Sequence, residues 1–157
     1  MNDQDFTTAF TVDATTQHVF TAVNDVRGWW SESVDGDTDK LGDIFTFHVP
    51  GIHRSVQELV EVVPDKLIVW RVLDADLTFV ADPSEWKDTE IRFELTETDG
   101  GTEVRFRHVG LVPAYECFDV CSNAWAGYIN GSLRSLITTG EGQPVETAGG
   151  KQTALRL

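Results

Sequence analysis

The chain has 157 residues, 41% of them hydrophobic, and a formal net charge of −14. That length holds one domain with one substantial core, and no stretch approaches the roughly 20 apolar residues of a membrane span. The acidity excludes nucleic acid and anionic membrane surfaces as partners, because phosphate binding needs clustered Lys and Arg.

The first residues, Met-Asn-Asp-Gln-Asp, carry no apolar h-region, so no secretory signal is expected and the simplest compartment is the cytoplasm. Residues 7–12 read as a first strand. Asp13 is the expected N-cap of a helix to about Asn24, with Val19, Phe20 and Val23 on one face. A short helix or turn then carries Val26, Trp29 and Trp30. Two adjacent Trp are expected to diverge, one anchoring the helix and the other at a cavity mouth or a protein contact. Residues 35–39 form a polar loop; no correctly spaced Glu closes it, so no metal is expected there.

Five strands follow. Residues 43–49 alternate, with Phe45, Phe47 and Val49 on one face. Residues 52–63 are longer and less regular. Pro64-Asp65 turns the chain into a strand over 67–73, where Trp70 shares a face with Ile68 and Val72, and Arg71 belongs to the other set. A polar segment with Pro83 and Trp86 precedes a strand over 89–96, which puts Ile91, Phe93 and Leu95 on one face. Residues 102–109 put Val104, Phe106 and His108 on one face and Arg105 and Arg107 on the other. The turn Asp99-Gly100-Gly101 joins these two as a hairpin, and such alternation belongs to an antiparallel sheet with one packed face.

From 113 to 137 the period becomes helical: Phe118, Cys121, Trp125, Ile129, Leu133 and Leu136 recur at spacings of three or four. Pro113 suits the first turn and Gly140 the end. Gly127 and Gly131 inside the helix permit close approach by a strand, a partner helix or a ligand, with packing against a strand the favoured expectation. Cys117 and Cys121, four apart on a helix, lie too far apart for an unstrained disulfide. The expected organisation is one α+β domain over 1–142 and a polar tail over 143–157.

No Ser-His-Asp order, phosphate-binding loop, dinucleotide fingerprint or zinc pattern occurs, so neither a cofactor nor a metal is expected. The site offered is a cavity between sheet and C-terminal helix, walled by Trp125, Tyr128, His108, Phe106, Phe93 and Trp70. Aromatic pockets with a few polar groups are the usual small-ligand site. His108 faces that space and is the one candidate for general acid/base work. His48 and His53 flank the Val49-Pro50-Gly51 turn and are expected to be exposed. Arg71 either pairs with an acidic ligand or makes a surface salt bridge.

The segments VFTAVNDVRGWWS (19–31), VVPDKLIVWRV (62–72), GGTEVRFRHVGL (100–111) and Trp125-Ala-Gly-Tyr128, in this order and spacing, resemble the START-like (SRPBCC) superfamily. Within it they resemble the family named after the activator of heat shock protein 90 ATPase. The resemblance covers about residues 6–142. It implies a helix-grip fold, a curved antiparallel sheet wrapped around a long C-terminal helix. The superfamily includes lipid carriers, ligand-binding proteins, cyclases and co-chaperone domains, and fold alone does not choose among them. Three functions stay open. The leading one is binding of a small apolar, aromatic or lipid-like molecule. The second is a protein-interaction module of the chaperone ATPase activator type, and the third is a cyclase or hydrolase using His108. A chaperone partner is the less favoured expectation; monomer and homodimer are both open.

Overall fold

The computed structural model describes residues 5–32, 34–49, 53–78, 80–81, 84–113, 115–116 and 118–144. Pro50 and Gly51 of the expected turn, Pro83, Cys117 and the tail from residue 145 lie outside the described residues.

Seven antiparallel strands form one sheet in the order β1-β7-β6-β5-β4-β3-β2. They are β1 (Phe6–Val12), β2 (Asp35–Gly36), β3 (Ile44–Val49), β4 (His53–Val63), β5 (Leu67–Leu77), β6 (Glu90–Thr98) and β7 (Gly101–Val109). The helix-grip architecture is present: the sheet closes around helices α1 (Thr16–Asn24) and α2 (Val26–Trp29) and the C-terminal helix. Two register shifts between β4 and β5, at Val56/Gln57 and Leu59/Glu61, add twist where the sheet must curl. In the β6–β7 hairpin Thr98 pairs with Gly101, and Gly100 takes φ +93°, a conformation glycine adopts without a Cβ clash.

Several boundaries differ from the sequence reading. Thr15, not Asp13, caps α1: its Oγ1 accepts from the His18 N–H at 3.1 Å, a cap contributing about 1 kcal/mol. Two residues of the polar loop pair as β2 with Thr46 and Phe45. Strand β5 runs four residues beyond Leu73, to Leu77.

The C-terminal helix starts at Phe118 rather than Pro113; before it the Tyr115 N–H bonds Val112 O and the Phe118 N–H bonds Tyr115 O, contacts that belong to turns. It then runs as α3 (Phe118–Ala126), a π-helical stretch (Gly127–Leu133) and α4 (Arg134–Thr139). The Arg134 N–H reaches back to Ile129 O. This wider turn shifts the phase, so Ile137 is buried while Leu136, also expected on that face, packs against the core half-buried. A Cβ on Gly127 or Gly131 would meet nothing within 4 Å, so neither serves the close strand packing expected of it.

The N-terminal edge is fastened by a buried charge. Asp5 accepts from Arg107 Nη2 at 3.0 Å and from the Gly110 N–H at 3.0 Å. Asp5 is buried, whereas the Arg107 side chain is 38% exposed, so solvent screens part of the pairing. Asp5→Ala is expected to lower stability by about 1–3 kcal/mol, mostly through the Gly110 N–H left without its acceptor and the loss of the Arg107 contact, as read by urea unfolding.

Candidate functional site

The inner face of the sheet is set by strand pleat, which sends every second side chain inward. It presents Phe45, Phe47 and Val49 from β3, and Ile91, Phe93 and Leu95 from β6. Strand β5 adds Ile68, Trp70 and Val72, and β7 adds Val104, Phe106 and His108. The π-helical turn brings Tyr128 and Ile129 round beside Trp125 on the helix face that meets them.

All six aromatic and imidazole residues assigned to the site from sequence are inside and in contact through their rings. Trp125 lies 4.6 Å from Phe106, 5.9 Å from His108 and 6.1 Å from Tyr128 between ring centroids. Phe93 lies 5.2 Å from Phe106 and 5.0 Å from Trp70. All five tryptophans of the chain join this assembly, each no more than 3% exposed. Trp29 and Trp30 do not diverge. Their rings stack at 6.1 Å and 13°, and Trp30 also stacks on Phe47 at 4.1 Å and on Trp70 at 5.7 Å. Trp30 caps α2, and laying the two indoles parallel lets adjacent side chains share one interior.

His108 is held on both nitrogens. Trp125 Nε1–H donates to its Nδ1 at 3.0 Å, which makes Nδ1 the bare nitrogen. Nε2–H therefore donates to Thr89 Oγ1 at 2.8 Å, and that hydroxyl donates to Trp86 O at 2.6 Å. Burial, with a lesser contribution from His53, pushes the imidazole down to about 3. The ring is neutral and neither nitrogen is presented to a ligand. Gly110 makes this possible: at φ +101° it passes so close to Thr89 that a Cβ would lie 2.8 Å from its Cγ2.

A second set of residues was missed by the sequence reading. On β4 the inward positions are His53, Ser55, Gln57 and Leu59, and the first three are polar. All three are at most 1% exposed, so His53 is not the surface residue expected. Its ring sits 5.0 Å from Phe47 and 4.6 Å from Trp86, and burial, with a lesser push from His48, lowers it to about 3. Gln57 lies between its cross-strand partners Phe45 and Val72.

These residues are poorly paired. Both amide atoms of Gln57, His53 Nδ1, and the indole nitrogens of Trp30, Trp70 and Trp86 have no hydrogen-bond partner among the described residues. Elsewhere Thr102 donates to Ala14 O at 2.8 Å and Ser132 to Trp29 O at 2.7 Å, while Asn24 Oδ1 on α1 and Ser122 Oγ on α3 are likewise without a partner among the described residues. Buried polar atoms are nearly always satisfied, so the unpaired atoms on β4 and on three indoles are exceptions that call for an explanation.

Arg71 is on the outer face and pairs with Asp88 at 3.5 Å. Surface clefts lie elsewhere, one of about 380 Å³ beside Asp13, Thr15 and Glu97 and one of about 510 Å³ beside Phe20, Arg27 and Asp37. Among the described residues no group of three or more His, Cys, Asp or Glu could hold a metal ion. No described helix is long and apolar enough to cross a membrane.

Comparison with solved structures places this fold among known ones. The solution structure of the Aha1 dimer from Colwellia psychrerythraea matches at 21% identity and TM-score 0.72, covering 88% of this chain and 98% of that one. A Staphylococcus saprophyticus protein matches at 18% identity and TM-score 0.63, covering 91% and 98%. DynU16, from the dynemicin biosynthetic locus, matches at 16% identity and TM-score 0.65, covering 89% of this chain and 49% of that one. At these identities the likeness shows the fold alone. No curated protein matches the chain. The model of the activator of Hsp90 ATPase homolog 1-like proteins matches residues 14–138, and on that match the chain belongs to this family.

Proposed function

We propose that the chain binds a small, largely apolar or aromatic molecule on the inner face of the sheet, beneath the C-terminal helix. The observation that carries this reading is the group of unpaired buried polar atoms set among tryptophans. Leaving each such group unmet costs about 1–3 kcal/mol, and a natural chain keeps that cost where the group has a use. The apolar surroundings supply affinity and the polar atoms supply orientation, as in most small-ligand sites.

Catalysis by His108 is the weaker reading, since both its nitrogens are engaged within the protein. The interaction reading, a module of the chaperone ATPase activator type, draws on the family's name. The two separate by a titration of intrinsic tryptophan fluorescence with fluorene. A saturable change is expected, because every indole lies in or beside the site. No saturable change, together with stimulated ATP turnover by a heat shock protein 90 homologue, would reverse the ranking.

A further inference from the structure

Building on the ligand-binding reading, we propose that the site selects a neutral aromatic ligand whose polar edge accepts hydrogen bonds, with Gln57 setting that preference. The inventory of unpaired atoms leads there. Trp30, Trp70 and Trp86 each offer an N–H that can only donate, and the Gln57 amide nitrogen donates as well. Against these stand two unpaired atoms on β4 able to accept, Gln57 Oε1 and, in one tautomer, His53 Nδ1; the other two, Asn24 Oδ1 and Ser122 Oγ, belong to α1 and α3, away from that strand. Donors outnumber acceptors, so a complementary molecule presents carbonyl or ether oxygens rather than N–H or O–H groups.

Charge is excluded by the surroundings. Among the described residues the one buried residue with a formal charge is Asp5, at the β1–β7 edge and already paired with Arg107. Among the described residues no Lys or Arg is buried to neutralise an anion, and no free carboxylate is buried to hold a cation. His53 stays neutral at ordinary pH and cannot serve as a counter-ion. An ion taken into such a place would lose its hydration without return.

Shape follows from the neighbours. Successive inward residues of a strand lie about 6.6–6.8 Å apart, so the stripe from Gln57 to His53 runs on the order of 13 Å. At its middle Ser55 stands between Ala75 on β5, which is small, and Phe47 on β3. The rings of Trp30 and Trp70 lie within 8° of parallel and stack at 5.7 Å, so the apolar side is built of flat aromatic surfaces.

The test compares three molecules of one shape: fluorenone, fluorene and fluorene-9-carboxylate. Binding is read by tryptophan fluorescence and calorimetry. The parent protein is expected to bind fluorenone on the order of tenfold more tightly than fluorene and to leave the carboxylate unbound. Gln57→Leu is expected to erase the difference between fluorenone and fluorene and to raise the urea midpoint, since an unpaired amide is replaced by an apolar group of similar size. Trp86→Phe, which keeps a ring and removes one donor, is expected to narrow the preference without erasing it. Equal binding of fluorenone and fluorene by the parent, a preference that survives Gln57→Leu, or tight binding of the carboxylate would overturn the inference while leaving the binding reading intact. Absence of saturable binding by all three would overturn both.

Discussion

Trp125→Ala is expected to bring the protein close to unfolding at room temperature. The side chain is 1% exposed and touches Trp30, Trp86, Phe106, His108 and Tyr128. Removing a packed aromatic of this kind costs about 3–5 kcal/mol, and domains of this size are stable by only about 5–15 kcal/mol. The loss does not stop at packing. Trp125 Nε1–H is the donor that holds His108 Nδ1, so its removal leaves a buried acceptor unmet and frees the imidazole from its tautomer, adding about 1–3 kcal/mol. Trp125→Phe keeps most of the ring contacts and loses only the hydrogen bond, so it is expected to fall between the parent and the Ala variant. Urea unfolding of all three measures the order. A loss under about 1.5 kcal/mol for the Ala variant would mean that the indole borders a void rather than fills one.

Acid should destabilise the protein well before its carboxylates titrate. His53 and His108 are both lowered from 6.5 to about 3, chiefly by burial. In the unfolded chain each takes up a proton as the pH falls through 6.5, whereas the folded chain resists until about 3. The unfolded state therefore binds more protons across that window. The contribution of these neutral rings is fully present above 6.5 and is lost as the pH falls toward 3. Each can remove up to about 1.4 kcal/mol per pH unit, so the pair sets a slope on the order of 2–3 kcal/mol per unit. Relief of self-repulsion in a chain of net charge −14 works in the opposite direction. Unfolding free energies at pH 7, 6 and 5 isolate the histidines: a fall between 6.5 and 5 is expected. A flat or rising profile would mean that at least one ring is charged or solvated in the folded state.

The strands were legible wherever the pleat was unbroken. Phe45 and Phe47, Ile91 and Phe93, and Val104, Phe106 and His108 alternate without interruption, and all face inward as the period requires. Strand β4 looked irregular because it is: two register shifts interrupt its pairing with β5 and flip the phase after Leu59. The signal for its inner face was the spacing His53-x-Ser55-x-Gln57-x-Leu59. Three polar residues on what must be the buried side read more naturally as a solvent face until the register with Phe45 and Phe47 is known. Trp29 and Trp30 misled for a related reason. Sequence periodicity separates neighbours by direction but cannot anticipate two indoles laid parallel at the end of a four-residue helix. The deeper burial of Ile137 than of Leu136 traces to the π-helical turn, which no spacing of three or four encodes.

The central claim is that the polar stripe on β4 and the tryptophans over it hold a small molecule. Native mass spectrometry of the protein purified from its own source tests this most directly, with Gln57→Leu expressed alongside. The parent is expected to carry one equivalent of a neutral adduct that collisional activation releases, and the variant to carry less or none. A bare parent chain that also fails to take up fluorenone, or an adduct retained undiminished by Gln57→Leu, would contradict the account.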